Sequence, residues 1–271
     1  MIEEAAGEVR IKGRGLSKGK KEGNVIKSLK PLSLARDVGF ATSEILDSDI
    51  EIHGEPIKDR VLVFPSWEHS EGYTDTLTRL MKDNIQPAAL VAESLDSSVI
   101  RDAVNAEVPA VDEIDISFLE TGDDVTVNGT QGTVGLKNVT LKHIATSVIV
   151  YQGKILVLRR SDEVGTYQGR WACVSGYVEV GETADKTALR EISEEIGLKR
   201  DDYEFRRKGK VLHARDKTML WAIHPFLFET KKQNITLDWE HEEYKWILPK
   251  EIAELECVPK LKETIETVFN G

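Results

Sequence analysis

The sequence predicts two mixed domains in series, of the α/β and α+β classes, with a boundary between residues 137 and 138. The chain has 271 residues, and a single domain commonly takes about 100–200. Short apolar runs alternate with helical patterns before the boundary, and a new hairpin pattern begins at Ile144. Apolar residues make up 40% and charged residues 31% of the chain, which is an ordinary balance for a globular protein with two cores.

The first domain is predicted to run strand, helix, strand, helix and then β-hairpin. Residues 9–11 and 25–26 each hold two β-branched apolar residues, which indicates two short strands around a basic, glycine-rich turn. Asn128-Gly129 lies between alternating apolar residues, which favours a hairpin. The other predicted elements are strands over residues 60–64, 88–91 and 110–111 and helices over residues 74–83 and 97–106.

The second domain is predicted to contain a hairpin, further strands and two helices. Gln152-Gly153 joins two apolar strands, as is typical of a tight hairpin turn. A helix is predicted over Ala184–Ile196, with aliphatic residues on one face and Gly197 as its C-terminal glycine. Further strands are predicted over residues 171–180, 218–230 and 244–248, and a terminal helix over residues 260–269.

Composition excludes several classes of function. A net charge of −11 opposes a broad nucleic-acid platform, so any phosphate site must be local. No run of about 20 uncharged apolar residues marks a membrane span, and the charged N-terminal residues lack the apolar core of a signal peptide. Cys173 and Cys257 are too few for a disulfide framework and are expected to be reduced thiols. We therefore expect a cytoplasmic protein that acts on a small molecule, and a homodimer stays open.

Residues 176–198 carry the pattern with the most chemical information. Glu191, Glu194 and Glu195 stand at i, i+3 and i+4, so a helix places them on one face. Three carboxylates this close repel one another, and divalent cations can remove that penalty. Hard oxygen ligands suit Mg²⁺, with Mn²⁺ as a substitute. The backbone carbonyl of Gly176 can supply a further ligand.

The same segment, GYVEVGETADKTALREISEEIGL, resembles the Nudix box GX5EX7REUXEEXGU, where U is a bulky aliphatic residue, at every defined position. The resemblance covers about residues 139–269, and LRRSDEVGTYQGRWACVSGYVEVGE is especially similar to archaeal-type Nudix domains. It implies an α/β/α sandwich and a pyrophosphohydrolase that uses metal-activated water. The expected substrate is a nucleoside diphosphate derivative or a similar organic pyrophosphate. The alternative is a Nudix fold that only senses a ligand.

The resemblance also suggests roles for single residues. The general base is either Glu194 of the box or Glu240 in the segment DWEHEEYKW, and we expect Glu240. Arg190 belongs to the catalytic segment, and we expect it to pair with Glu182 or Glu194 rather than to contact substrate.

Neighbouring residues carry further expectations. Glu243 is expected to be a buried structural partner, and His241 a surface or loop residue. Three arginines are candidates for either phosphate binding or structural pairing, and two aromatic residues for either stacking or packing: Arg159, Arg160, Arg170, Tyr167 and Trp171.

The N-terminal half resembles the swivelling β/β/α domain of the small subunit of aconitase-like phosphomevalonate dehydratases. The similarity lies in IKGRGLSKGKKEGNVIKSLKPLS, RVLVFPS and PAALVAESLDSSVIRDAVNAEVPAV. LETGDDVTVNGTQGTVGL also resembles the mobile phosphohistidine domain of phosphoenolpyruvate-using enzymes, which shares the swivel fold.

Two positions limit what this second resemblance implies about activity. Ser98 stands where the phosphohistidine domain has its histidine, so phosphoryl relay is not expected. Ser70 matches a serine of the dehydratase subunit, but Glu68 and Glu71 replace the flanking glycines. We expect residues 7–136 to form a binding or regulatory module. Docking on a dehydratase-like large subunit is the alternative.

Overall fold

The computed structural model describes residues 2–5, 7–68 and 75–269. The chain divides into two compact units, residues 1–140 and residues 141–271. Ser70 and Glu71, discussed above, lie outside the described residues. Within the described ranges, no helix combines the length and apolar character needed to cross a membrane.

The first unit is built on one mixed sheet. Its described strands are β1 (Ile2–Ala5), β2 (Glu8–Lys12), β3 (Arg14–Ser17), β4 (Lys20–Lys27), β5 (Val61–Ser66), β6 (Ala89–Ser94), β7 (Ala110–Asp112), β8 (Asp124–Asn128) and β9 (Thr133–Leu136). Its helices are α1 (Leu34–Asp37), α2 (Thr76–Lys82) and α3 (Ser97–Asn105). The strand order is β1-β2-β9-β8-β4-β5-β6-β7-β3. Neighbouring strands from β4 to β7 run parallel, and the outer pairs are antiparallel.

Helices α2 and α3 pack on the parallel strands. Leu62 and Phe64 of β5 share a buried cluster with Leu77 of α2 and Val99 of α3, as expected for parallel strands rich in aliphatic residues. The buried carboxylate of Asp102 in α3 accepts hydrogen bonds from the backbone N–H groups of Leu77 and Thr78, at 2.6 and 3.1 Å. Asp102 therefore caps the start of α2 from a neighbouring helix.

The predicted strands and helices of this unit are confirmed, with one correction. The glycine-rich segment is not a simple turn between two paired strands, because β3 lies within it and pairs with β7. β4 pairs with β8 and β5, and it includes Lys20 and Lys21. The sequence gives a weak signal for β3, since Leu16 is its only large apolar residue.

The second unit is built on an eight-stranded sheet. Its strands are β10 (Thr140–Tyr151), β11 (Lys154–Arg160), β12 (Trp171–Ala172), β13 (Val174–Tyr177), β14 (Tyr203–Lys208), β15 (Leu212–Asp216), β16 (Met219–Thr230) and β17 (His241–Ile247). Its helices are α4 (Ala184–Ile196) and α5 (Leu261–Phe269). The central order is β12-β11-β10-β16-β14, and β13, β15 and β17 pair with β10, β16 and β11 respectively.

Helices α4 and α5 cover opposite faces of this sheet, because successive side chains of a strand point to opposite faces. Leu156 and Leu158 of β11 belong to the cluster that contains Ile192 of α4. Ile155 and Val157 belong to the cluster that contains Ile265 of α5. This confirms the predicted α/β/α sandwich.

The backbone conformations of single residues explain two of the predicted features of this unit. Gln152 and Gly153 have φ values of +48° and +78°, as a two-residue hairpin turn of this kind requires. Helix α4 ends as predicted at Gly197, whose φ of +68° is left-handed. Strands β14 and β15 were not predicted. In β14 four of the six residues of YEFRRK are charged, so the pattern lacks the apolar alternation of a strand.

Candidate active site

The three glutamates of α4 differ in burial although they share one side of the helix. Ala188, Ile192 and Ile196 are fully buried against the sheet, which fixes the rotation of α4. Glu195 is only 3% exposed, and the side chain of Glu191 is 12% exposed. The side chain of Glu194 is 57% exposed, so it points toward solvent.

Gly176 brings β13 against the start of this carboxylate cluster. It pairs with Ala145 of β10, and a Cβ atom at Gly176 would overlap the carboxylate of Glu191. A side chain at this position would therefore force the Glu191 carboxylate to move. The backbone around Gly176 is consequently brought close to a carboxylate, the arrangement expected of a mixed backbone and side-chain ligand set.

Arg190 is held by three carboxylates. Its Nη1 atom lies 2.7 Å from Glu191 Oε1 and 2.8 Å from Glu194 Oε2, and Nη2 lies 3.4 Å from Glu182 Oε2. Nη2 also donates to the carbonyl of Tyr177 at 3.4 Å. This arrangement confirms the expectation that Arg190 pairs with Glu182 or Glu194.

Glu195 is the most unusual acid of the site. Its two carboxylate oxygens accept the backbone N–H of Ser175 at 3.3 Å each. Burial raises the pKa of Glu195 well above the ordinary value of a glutamate, and the negative charges of Glu191, Asp238 and Glu240 raise it further. Burial also raises the pKa of Glu191. The site therefore concentrates negative charge where solvation is poor.

Two expectations for the segment DWEHEEYKW are wrong. His241 is buried rather than at the surface: it begins β17, its Nδ1 lies 3.0 Å from Asp238 Oδ1, and its Nε2 lies 4.0 Å from Glu195 Oε2. Burial lowers the pKa of His241. Glu243 is not buried, since its side chain is 43% exposed and lies within ion-pair distance of Arg159 and Lys245. His241 is the first residue of β17, and the alternation of side chains along the strand points it inward. The charged residues on both sides of His241 give no sign of this burial in the sequence.

A cavity of about 510 Å³ opens beside these residues. Glu191, Gly176 and Glu240 line one part of it. Much of the remaining wall consists of aromatic and aliphatic side chains: Ile144, Val164, Tyr167, Tyr177, Trp221, Ile223 and Trp239. Trp221, Trp239 and Tyr177 were missed as candidates. For Trp239 the position next to Glu240 is a signal that sequence reasoning could have used.

Of the arginine and tyrosine candidates named from the sequence, some line the cavity and others do not. Arg160 lines it, and its Nε donates to the carbonyl of Thr166 at 3.0 Å. Arg159 instead contacts Glu242 at 3.2 Å, and Arg170 donates to the carbonyl of Cys257 at 3.2 Å. Tyr167 also lines the cavity.

Trp171 packs in the core instead of facing the cavity. It belongs to the cluster under α5, with the Lys245 ammonium 4.5 Å from its ring centroid. The structure therefore favours packing for Trp171 over stacking on a ligand.

The donor set fits a hard cation. Among the described residues, no group of three or more His, Cys, Asp or Glu side chains is arranged to hold a metal ion. Beside α4, the Arg190 guanidinium contacts both Glu191 and Glu194 and takes the position of a shared cation. The carboxylate oxygens of Glu191 and Glu195 are nevertheless hard donors of the kind that magnesium prefers.

We predict that Glu195→Gln stabilises the metal-free protein near neutral pH. Folding raises the pKa of Glu195, so the free energy of unfolding is greatest below the pKa of an unfolded glutamate, about 4.3. It decreases as pH rises through the folded-state pKa. Glutamine has no such loss, so thermal unfolding in chelator should show a Tm advantage at pH 7–8 that narrows toward pH 4. The exposed Glu194→Gln is the control, and an equal response of both variants would contradict the prediction.

Comparison with known proteins assigns both halves of the chain. Residues 10–136 match the family model of the aconitase X swivel domain, and residues 141–268 match that of the NUDIX domain. The phosphomevalonate dehydratase small subunit of Thermococcus sibiricus is 34% identical over 129 residues, covering 48% of this chain and 99% of that protein.

Two solved structures are also similar. Thermococcus kodakaraensis aconitase X is 35% identical, with a TM-score of 0.46 and coverage of 47% of this chain and 97% of that chain. The MutT protein from Methanosarcina mazei Go1 is 22% identical, with a TM-score of 0.41 and coverage of 47% and 92%. The chain therefore belongs to the family of the phosphomevalonate dehydratase small subunit through the aconitase X swivel domain of its N-terminal half, and its C-terminal half is a NUDIX domain.

Proposed function

We propose that the second unit is a magnesium-dependent Nudix hydrolase that cleaves a pyrophosphate linkage, with manganese as a substitute cation. The observation that carries the proposal is the buried Glu195 carboxylate, which lies among Glu191, Asp238 and Glu240 next to a cavity of substrate size. Burying acidic groups with few neutralising partners is costly, and a bound cation would offset that cost. The match of residues 141–268 to the NUDIX domain supports the same proposal.

We assign a separate role to each of the residues that line or adjoin the cavity. Glu191 and Glu195, with Glu194 and the Gly176 carbonyl, would hold magnesium, which supplies neutralising charge for the diphosphate and acidifies bound water. Arg190 orients Glu191 and Glu194 through its ion pairs. Arg160 lines the cavity, and no carboxylate of the described residues lies within ion-pair distance of it. Its guanidinium can therefore bind a substrate phosphate.

Glu240 is the proposed general base. It lines the cavity and is close enough to Glu191 and Glu195 to affect their pKa values. Its backbone is held on both sides, because its N–H donates to Asp238 Oδ1 at 3.2 Å and its carbonyl accepts from Ser161 at 2.8 Å. Glu194 is the alternative base, but it is more exposed and is paired with Arg190.

The first prediction for activity concerns the metal and its carboxylates. Hydrolysis of a panel of nucleoside diphosphate derivatives, dinucleotides and isoprenoid diphosphates should require Mg²⁺ or Mn²⁺ and should vanish in excess EDTA. Glu191→Gln and Glu195→Gln should each lower kcat at least about 100-fold, the scale at which lost transition-state electrostatics acts. Asp185→Asn, which removes a charge from the exposed first turn of α4, is the control. Metal-independent turnover, or a fold that binds these compounds without cleaving them, would refute the hydrolase assignment.

The base is tested by comparing two glutamines. Glu240→Gln should lower kcat by about 10²–10⁴-fold, the usual contribution of general base catalysis, while Glu242→Gln on the neighbouring exposed position should leave kcat near wild type. Steady-state kinetics at saturating magnesium gives the comparison. A large loss in Glu194→Gln with little change in Glu240→Gln would place the base on the helix.

The first unit supports a second candidate function, docking on a dehydratase-like large subunit. The observation that favours it is the extent of the similarity, because this chain spans 99% of the length of the T. sibiricus small subunit. Co-expression of the full chain with the large subunit from the same source, followed by gel filtration, should yield a stable complex. Separate elution of the wild-type chain and the large subunit would exclude the role.

A further inference from the structure

A pair of histidines on two central strands of the second unit lies outside the cavity. His143 belongs to β10 and His224 to β16, and these strands are neighbours in the sheet. His143 Nδ1 lies 2.9 Å from His224 Nε2, and the ring centroids are 5.2 Å apart with 32° between the planes. Among the described residues that line the cavity, neither histidine is present. The pair is therefore a second group of potential metal ligands, separate from the carboxylates of the proposed hydrolase.

The two rings lie on the face of the sheet that α4 covers, because residues two apart in a strand point to the same face. Ala145 follows His143 by two residues, and Phe226 follows His224 by two residues. Both Ala145 and Phe226 belong to the apolar cluster that contains residues of α4. His143 is exposed and His224 is half-buried. Strand pairing therefore fixes the two backbones, while one side of the pair stays open to ions and water.

The spacing of the two nitrogens fits two ligands of one metal ion. An imidazole nitrogen binds zinc at about 2.0–2.1 Å, so two nitrogens on one ion are about 2.9 Å apart at a right angle and about 3.3 Å apart at a tetrahedral angle. The observed 2.9 Å matches the first value, and the second needs an opening of about 0.4 Å. In the metal-free pair one ring nitrogen donates its hydrogen to the other. A neutral imidazole can carry that hydrogen on either nitrogen, so a metal ion can replace it with no net uptake or release of a proton.

The surroundings keep His224 in the form that binds metals. Burial, together with the nearby positive charges of His143 and Lys208, lowers the pKa of His224 to about 4. A histidine must be neutral to ligate a metal ion, so His224 needs to lose no proton at neutral pH. Lys208 would repel a cation, but its ammonium is paired with the carboxylate of Asp185 at 3.2 Å. The local charges therefore favour a neutral imidazole pair with an opposed lysine charge that is already compensated.

We propose that His143 and His224 form a binding site for a divalent transition metal that prefers imidazole, such as Zn²⁺, Ni²⁺ or Cu²⁺. Water molecules would complete the coordination, because no third His, Cys, Asp or Glu side chain of the described residues is placed to join the pair. Magnesium prefers oxygen ligands and would not compete. An ion shared by β10 and β16 would stabilise the folded second unit, since it binds the folded state alone. The inference does not depend on the proposed hydrolase function.

The test is electron paramagnetic resonance of the full-length chain, prepared without a histidine tag and loaded with less than one equivalent of Cu²⁺. Excess Mg²⁺ occupies the proposed carboxylate site, and the nitrogen couplings report how many imidazoles bind copper. The wild type should show couplings from two nitrogens, and His143→Ala should show at most one. Calorimetry with Zn²⁺ should give an affinity at least about tenfold lower for His143→Ala, because even the loss of a group that only supports a metal ligand costs that much.

His53→Ala is the matched control, because it removes an exposed histidine of the first unit. It should keep both the two-nitrogen spectrum and the affinity for Zn²⁺. Glu191→Gln should keep them as well, which separates this site from the proposed magnesium site. A wild-type spectrum without two nitrogen couplings would overturn the proposal, even if His143→Ala does not fold, and so would an unchanged spectrum in His143→Ala. The measurements use no substrate, so their outcome leaves the hydrolase proposal to its own tests.

Discussion

Removal of the Glu195 carboxylate from water is the constraint around which the site of the second unit is arranged. A buried carboxylate is unfavourable unless other groups replace its hydration. Ser175 offers only two long hydrogen bonds of 3.3 Å, and the nearest further charges are mostly acidic. A bound divalent cation would reverse this balance, because metal ligands must be deprotonated and binding stabilises the folded state. The feature that weakens the metal-free fold is thus the one that would give the proposed site its affinity for a cation.

The sheet fixes the positions of the side chains around the carboxylate cluster of Glu191, Glu194 and Glu195. Gly176 lets β13 approach α4, so the position of Glu191 follows from a strand register rather than from a loop. On the other side, the pairing of β11 with β17 shifts register between Arg159 and Arg160. Bulges of this kind re-aim neighbouring side chains near active sites. Here Arg159 meets the exposed glutamates Glu242 and Glu243, whereas Arg160 lines the cavity.

Sequence reasoning succeeded where local rules decide the structure. The bounds of α4 follow from its amphipathic pattern and Gly197, and the hairpin at Gln152-Gly153 follows from turn chemistry. It failed where tertiary packing decides. The burial of His241 depends on the pairing of β17 with β11, and the unsatisfied Nε1 of Trp221 depends on the residues that surround it. Neither property is encoded by neighbours in the chain, so spacing alone could not reveal it.

The charges and the apolar wall of the cavity have separate consequences for substrate choice. The chain carries a net charge of −11, so an anionic substrate gains little from long-range attraction and depends on local cations. Arg190 is already paired with carboxylates, so under the proposed function Arg160 and a bound metal would contact the phosphates. These groups recognise any diphosphate, so they cannot distinguish one ester from another. Under the proposed function, selection would therefore come from the part of the cavity that contacts the organic group, where aromatic and aliphatic side chains form much of the wall.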